Sequence, residues 1–181
     1  MTETRIDVRE GFYLSAVSLN DKAALLEHLE VKDIHNTTMN IPFPYTEADA
    51  EWWLGKRVGQ TLRHAKEVTF AIRDHGKLIG VVGADSLEIG ESHRAEIGYW
   101  IAKPYWGRGL MTDVVRAFVR YAFKELGVER LTAHVFEFNQ ASARVLEKNG
   151  FTLEGRLRRH FMKNGELIDG RLYGLLKHEV V

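Results

Sequence analysis

The sequence contains no cysteine among its 181 residues. This absence excludes a disulfide framework, a thiolate nucleophile and a zinc site with cysteine ligands, and it agrees with a reducing compartment. The chain also lacks an excess of charge of either sign, since 25 basic residues balance 25 acidic ones. Balanced charge argues against a general nucleic-acid or membrane-binding surface, so we expect no direct DNA binding.

Long apolar runs are also missing. No segment approaches the ~20 apolar residues that a membrane-spanning helix needs, and the first ten residues lack the apolar core of a secretory signal. We therefore expect a cytoplasmic protein that does not bind membranes. The eight histidines show no ligand spacing such as His-x-x-x-His, so we expect no metal.

The pattern of apolar residues predicts a mixed α/β chain of one domain. The predicted strands are residues 12–17, 68–73, 77–84, 94–101, 131–136, 151–159 and 171–178. Four helices are predicted: one capped by Asn20 and Asp21 that runs to about 30, one capped by Thr46 that runs to about 65, one from about Leu110 to 126, and one between Asn139 and Gly150. Pro42 and Pro44 predict a loop between the first two helices.

A glycine turn separates the strand that ends at Ile101 from the helix that begins near Leu110. Gly107 and Gly109 allow the backbone to turn closely around a ligand, and they leave peptide N–H groups unshielded. The following helix directs its positive end at the same place. The arrangement favours a pyrophosphate site, although a lone Gly-x-Gly pair also occurs in ordinary turns.

Two common nucleotide-binding loops do not fit this turn. A Walker loop requires Gly-Lys-Ser/Thr, which is missing here. A dinucleotide fingerprint requires glycine or alanine three residues after the second glycine, and that position holds Thr112.

A second motif runs from Asn139 to Phe151. Asn139 is a favourable N-cap, and Gly150 suits the left-handed residue that follows a helix. Together with the glycine turn, this motif resembles the GNAT superfamily of N-acetyltransferases. The segments Ala95–Ile101, Pro104–Gly109 and 151–155 narrow the resemblance to the ribosomal-protein N-terminal acetyltransferases of the RimJ/RimL type. The similarity is strong from about Val68 to His178.

The resemblance implies a single α/β domain over residues 1–181, with a mixed, mostly antiparallel sheet flanked by helices. Residues from about 1 to 65 would help to shape the acceptor site, and residues from about 66 to 181 would bind acetyl-CoA as the co-substrate. In the family, the glycine turn binds the pyrophosphate, while the strand before it and the later motif bind the pantetheine arm. The positions carried over are Tyr99, Trp100, Ile101, Trp106, Gly107, Arg108, Gly109, Leu110, Met111, Thr112, Asn139 and Ser142.

The resemblance also implies two catalytic residues. Glu96 corresponds to strand glutamates that deprotonate the amine, but an ion pair with Arg94 or another cation is an open alternative. Many family members have a tyrosine that protonates the departing thiolate at the position of Leu146, and leucine cannot do so. Ser142 resembles the serine with that task in the ribosomal-protein type, and a plain serine on the helix surface is the open alternative. A further carboxylate used by one branch is replaced by Phe161.

The leading hypothesis for the acceptor is the N-terminal α-amine of a protein such as a ribosomal protein. An α-amine has a pKa near 8, so a weak base suffices to deprotonate it. The alternatives are a small amine (a polyamine, an antibiotic or an amino acid) and a module that senses acetyl-CoA without turnover. Dimerisation is common in the family, so a homodimer is a further expectation. Arg156, Arg158, Arg159 and His160 form a basic cluster that we expect to be a solvated strand edge.

Overall fold

A computed structural model of the protein describes residues 4–85, 87 and 89–180. The strands are β1 (Ile6–Arg9), β2 (Phe12–Ala16), β3 (Thr69–Asp74), β4 (Lys77–Asp85), β5 (Arg94–Ile101), β6 (Arg130–Phe136), β7 (Thr152–Lys163) and β8 (Glu166–Leu176). The helices are α1 (Lys22–Leu29), α2 (Lys32–Thr37), α3 (Glu47–His64), α4 (Leu110–Glu125) and α5 (Gln140–Glu147).

The strands form one sheet in the order β1-β2-β3-β4-β5-β6-β8-β7. The pairs β1–β2, β2–β3, β3–β4, β6–β8 and β7–β8 are antiparallel, whereas β5 and β6 are parallel. The predicted fold class, an α/β protein with a mixed and mostly antiparallel sheet, is therefore confirmed.

The chain groups into two compact units. The first contains the described residues up to Gly83 together with Tyr99–Ala117, and the second contains those of Ala84–Gly98 and from Phe118 onward. That residues 1–181 act as one domain stays a prediction.

The first unit has an apolar core between its helices and its strands. Leu25, Leu29 and Leu54 from the helices are buried with Ala71 and Leu78 from the strands. Burying these side chains gives the helices their fixed positions, because short helices are marginal in water without such packing. Trp53 and Trp100 lie against this core, while the neighbouring Trp52 is 66% exposed.

One ion pair is buried in the first unit. The Arg73 guanidinium donates to both carboxylate oxygens of Asp21, to the Ser15 hydroxyl and to the Ala16 carbonyl. Satisfying both charges in this way offsets the cost of removing them from water. Asp21 also accepts from the Ser18 N–H at 2.9 Å, so Ser18 starts the turn that leads into α1. The sequence had predicted Asn20 and Asp21 for that role.

Thr46 caps α3 as predicted. Its side chain accepts from the Asp49 N–H at 3.2 Å, and the Asp49 carboxylate accepts from the Thr46 N–H at 2.8 Å. We expect Thr46→Ala to lower the free energy of unfolding by about 1 kcal/mol, measured by urea denaturation. Thr61→Ala, inside the same helix, is the matched control and should change stability little; equal losses from both would contradict the capping role.

In the second unit an ion pair joins two strands across the strand between them, at the position of a glycine. Arg130 on β6 donates 2.8 Å to Glu154 on β7, although β8 lies between these strands. A Cβ on Gly174 of β8 would overlap the Glu154 carboxylate. Glycine at this position therefore lets the carboxylate cross the middle strand.

The Arg130–Glu154 pair makes stability depend on pH. The hydrogen bond from Arg130 lowers the pKa of Glu154 below its ordinary value of 4.5. A lowered folded-state pKa contributes stability that is complete above 4.5 and is lost as pH falls through the folded value. We expect Glu154→Gln to lower the melting temperature at pH 7, with a difference from wild type that shrinks at acidic pH. Melting curves from neutral to acidic pH measure this, and a difference independent of pH would contradict it.

Two elements were not predicted. β1 has only four residues, and their burial alternates between half-buried and exposed. α2 has six residues with a single buried side chain, Ile34. The hydroxyl groups of Thr37 and Thr38 bond to backbone carbonyls of this short helix. The strands of the β7–β8 hairpin extend beyond their predicted ends, but the turn between them lies at Asn164 and Gly165, where the sequence also predicts it.

Candidate active site

The predicted site residues fall into two groups, one in each compact unit. In the first unit the glycine turn has its expected conformation, since Gly107 and Gly109 both have φ of 72°. The Trp106 indole N–H donates 2.7 Å to the Ile101 carbonyl. That bond fixes the start of the turn to the end of β5.

Several consecutive backbone N–H groups at this turn have no backbone acceptor among the described residues. Within the described part of the chain, none of the N–H groups of residues 107–111 donates to another backbone atom. The first hydrogen bonds of α4 are donated by Thr112 and Asp113 to the Gly109 carbonyl, at 3.0 and 3.4 Å. These unpaired donors lie at the positive end of a 16-residue helix, which is the arrangement that binds phosphate groups.

Charged side chains next to the turn are arranged to favour an anion. Asp113 would repel a phosphate, but its carboxylate pairs with Arg9 at 3.5 Å and with Arg116 at 3.0 Å. The Arg108 side chain is exposed and lies 5.9 Å from the centre of the Tyr105 ring. Arg9 also donates to the Arg108 carbonyl at 3.5 Å.

Tyr105 holds the segment before the turn. Its hydroxyl donates 2.6 Å to the Asp74 carboxylate, and its ring packs edge-on against Phe12 at 6.2 Å. The bond to Asp74 raises the pKa of Tyr105 to about 12 and lowers that of Asp74.

The end of β5, residues 99–101, lies close to β4. The Ala102 N–H donates 2.8 Å to the Ile79 carbonyl. A Cβ on Gly80 would lie 2.5 Å from the Trp100 carbonyl, so only glycine allows this approach. On its other side, β5 pairs with β6 over three residue pairs, from Arg94↔Arg130 to Glu96↔Thr132.

In the second unit Glu96 pairs with a histidine. Its neighbours Ala95 and Ile97 are buried, so Glu96 lies on the opposite face of β5. The Glu96 carboxylate is 2.9 Å from Nδ1 of His134 on β6. The partner of Glu96 is thus His134 and not Arg94, and a contact of this kind is what the alternative of an ion pair with another cation describes.

His134 belongs to a cluster of rings that was not predicted. The His160 ring stacks on it with centres 5.4 Å apart and planes 12° apart, and Phe161 packs edge-on against it at 6.4 Å. Only the parallel register of β5 and β6 places His134 beside Glu96. The sequence alone does not indicate this cluster, because the register is not visible in it.

The start of α5 is capped as predicted. The Asn139 side chain accepts from the Ser142 N–H at 3.1 Å, and the Ser142 side chain is half-buried. Leu146 is fully buried. Leu146 is thus a core residue, and it has no group that transfers a proton.

Two kinds of feature are missing from the residues that the structure describes. No group of three or more His, Asp or Glu side chains there could hold a metal ion. Within the same residues, no helix is long and apolar enough to cross a membrane.

The sheet, the glycine turn and the capped helix together define an acetyltransferase domain of the GNAT type. The family model of the GNAT acetyltransferase domain matches residues 12–152, and the chain belongs to this family. The ribosomal-protein-serine acetyltransferase of Escherichia coli is 30% identical over 178 residues, which are 96% of this chain and 96% of that protein.

Other relatives match over a shorter length. The uncharacterized N-acetyltransferase YoaA of Bacillus subtilis is 42% identical over 106 residues, which are 58% of this chain and 59% of that protein. The chain covers 55–64% of the length of this and three similar curated relatives.

Solved structures have the same fold. The RimL ribosomal L7/L12 α-N-protein acetyltransferase in complex with coenzyme A has a TM-score of 0.86, with 21% identity over 96% of this chain and 98% of that one. The microcin C7 self-immunity acetyltransferase MccE, in complex with acetyl-CoA and AMP, has a TM-score of 0.81, with 20% identity over 93% of this chain and 94% of that one.

Proposed function

We propose that this protein is an N-acetyltransferase that moves the acetyl group of acetyl-CoA to a primary amine, most favourably the N-terminal α-amine of a protein. One observation carries the proposal. Five consecutive residues, 107–111, have N–H groups without a backbone partner in the described chain, at the N-terminus of α4. Such donors suit the pyrophosphate of coenzyme A.

The residues of the first unit would bind most of acetyl-CoA. The segment Trp106–Thr112 would hold the pyrophosphate, mainly through the N–H groups of residues 107–111, with Arg108 adding positive charge. Residues 99–101, at the exit of β5, would hold the pantetheine arm. In the second unit, Asn139 and Ser142 are the positions that the family resemblance assigns to acetyl-CoA.

Acetyl-CoA supplies the acetyl group as a thioester. The protein must then remove a proton from the amine and return one to the departing sulfur. We assign proton removal to Glu96, which the His134 ring orients from 2.9 Å. We assign proton return to Ser142, because Leu146 cannot perform it. No covalent intermediate with the protein is required, in agreement with the absence of cysteine.

Two observations support a protein N-terminus as the acceptor: the activity for which a relative is named, and the pairing of acidic side chains in the N-terminal region. The E. coli relative with 30% identity is named for ribosomal-protein serine acetylation. A polyamine pocket would need unpaired acidic groups in the N-terminal region. Instead, Lys22 pairs with Glu47 and Glu51 at 3.3 and 3.0 Å, and Lys103 pairs with Asp33 at 2.5 Å. Two lysines of the same chain are thus shared by these three carboxylates, which lowers the negative charge available to a polyamine.

Release of coenzyme A thiol across an acceptor panel tests the proposal. The panel contains peptides that begin with Ser, Ala or Met, together with spermidine, free amino acids and an aminoglycoside. The protein has no cysteine and adds no thiol background. Release with peptides alone supports the proposal, and release with a small amine alone overturns the acceptor. Binding of acetyl-CoA without any release favours the sensing module. A cytoplasmic location and a homodimer stay predictions.

A further inference from the structure

β7 contains a bulge with a defined structure. Between the pairs Leu157↔Gly170 and Phe161↔Ile168, three residues of β7 lie opposite only Asp169 of β8. The central one, Arg159, has φ of 51°, a conformation that a non-glycine residue seldom adopts. Its N–H donates 2.7 Å to the Asp169 carboxylate, which holds it in place.

Neighbouring residues make room for the bulge. A Cβ on Gly170 would lie 2.5 Å from Cε2 of Phe161, so glycine allows the Phe161 ring to fold over β8. The ring packs edge-on against Phe136 at 4.9 Å. Bulges often occur beside active sites, where they redirect side chains.

The bulge lies next to the candidate base. His160, its last residue, stacks on His134, and His134 bonds to Glu96. All of these residues belong to the second unit. An amine brought to Glu96 is therefore close to the bulge.

Two of the arginines here are available to a ligand. Arg156 is already paired, with Glu137 at 2.9 Å and with Asp169 at 2.8 Å. Arg158 and Arg159 are exposed, and their side chains form no hydrogen bond or ion pair within the described chain. The Arg159 N–H and the nearby charges of Arg156 and Arg158 lower the pKa of Asp169, so Arg158 lies close to one carboxylate of the chain itself. The bulge lines an open groove of about 670 Å³. Guanidinium groups bind carboxylates through paired, charge-assisted hydrogen bonds.

We propose that Arg158 and Arg159 form a carboxylate-binding site for the acceptor, so that the enzyme prefers protein N-termini with Asp or Glu shortly after the first residue. This inference rests on the proposed function. An extended acceptor peptide advances ~3.3 Å per residue. Arg159 and Arg158 lie one and two positions before His160, whose ring stacks on the partner of Glu96. Acidic residues at the second to fourth positions of the acceptor therefore match the site.

The charges favour a peptide over a nucleic acid. The whole chain has a net charge of zero. Proteins that bind nucleic acids typically neutralise several phosphates, on the order of 6–10, whereas Arg158 and Arg159 contribute two guanidinium groups to this groove. Two charges suit one or two carboxylates.

Two matched peptides test the site. Both begin with serine; one continues with Glu-Asp-Glu and the other with Gln-Asn-Gln, and the rest is identical. For the wild-type enzyme we expect kcat/KM to be about tenfold higher for the acidic peptide, since each charge-assisted contact contributes a few-fold. Raising the salt concentration should reduce this preference by screening.

Variants identify the residues responsible. The double variant Arg158→Gln with Arg159→Gln should lose the preference for the acidic peptide because its KM for that peptide rises. Its kcat, and its kcat/KM for the neutral peptide, should equal those of the wild type. The double variant Arg158→Lys with Arg159→Lys keeps both positive charges and should retain part of the preference for the acidic peptide. Arg120→Gln, an exposed arginine of α4, is the control and should retain all of it.

Each outcome has a defined meaning. Equal kcat/KM for both peptides, or a preference that survives the glutamine double variant, overturns this inference alone. Absence of turnover with either peptide overturns both the peptide acceptor and this site. If the glutamine double variant no longer binds a single-stranded RNA that the wild type binds, but keeps the preference for the acidic peptide, the two arginines bind a nucleic acid and the inference is wrong.

Discussion

Replacing Glu96 with glutamine is expected to lower kcat about 100-fold while the Kd for acetyl-CoA stays unchanged. Glutamine keeps the size of the side chain and an oxygen for the contact with His134, which lies 2.9 Å away. It cannot accept the proton of the amine. Glu96 is not among the residues proposed to bind acetyl-CoA, so binding should persist.

The measurement is steady-state turnover with a peptide acceptor, together with calorimetric titration of acetyl-CoA. Glu166→Gln is the matched control, because Glu166 is an exposed strand glutamate in the same hairpin as the bulge. It should leave kcat and Kd at wild-type values. Unchanged turnover in Glu96→Gln would remove the base assignment, and the same test on Ser142→Ala examines the proposed acid.

Replacing Gly109 with valine is expected to raise the Kd for acetyl-CoA about 100-fold. Gly109 has φ of 72°, where a β-branched residue is strained by ~1–2 kcal/mol. The turn should relieve this strain by rotating its peptide groups. Loss of one or two charge-assisted hydrogen bonds, at about 1.5–3 kcal/mol each, accounts for the expected change.

The control for this variant is at the other end of the same helix. Gly127 follows α4, has the same φ of 72°, and like Gly109 has no atom within 4 Å of an added Cβ. Gly127→Val should therefore reduce the melting temperature to a similar extent without changing the Kd. If both variants bind acetyl-CoA like wild type, the pyrophosphate role of the turn would be wrong.

Long periodic segments and their caps were predictable from the sequence. β5 was predicted at its observed bounds, and Thr46 and Asn139 cap the helices that they were expected to cap. α4 begins at Leu110 as predicted. Local chemistry determines these features, since a side-chain acceptor next to free N–H groups needs no distant partner.

Features that depend on distant residues were not predictable. α2 owes its position to the burial of Ile34 in the core, and its six residues carry no periodic signal. The contact of Glu96 with His134 depends on a parallel register between strands separated by a helix. The unusual conformation of Arg159 depends on Asp169 across the hairpin.

The bulge in β7 also affects how the protein behaves at high concentration. β7 is the last strand of the sheet and has 12 residues, with Leu153 and Met162 exposed on it. A flat and apolar edge of that length would add strands from other molecules and grow into aggregates. The bulge interrupts its row of backbone donors and acceptors, and two charged arginines protrude at the interruption. The residues that we propose for acceptor choice thereby also keep the sheet from extending into a second molecule.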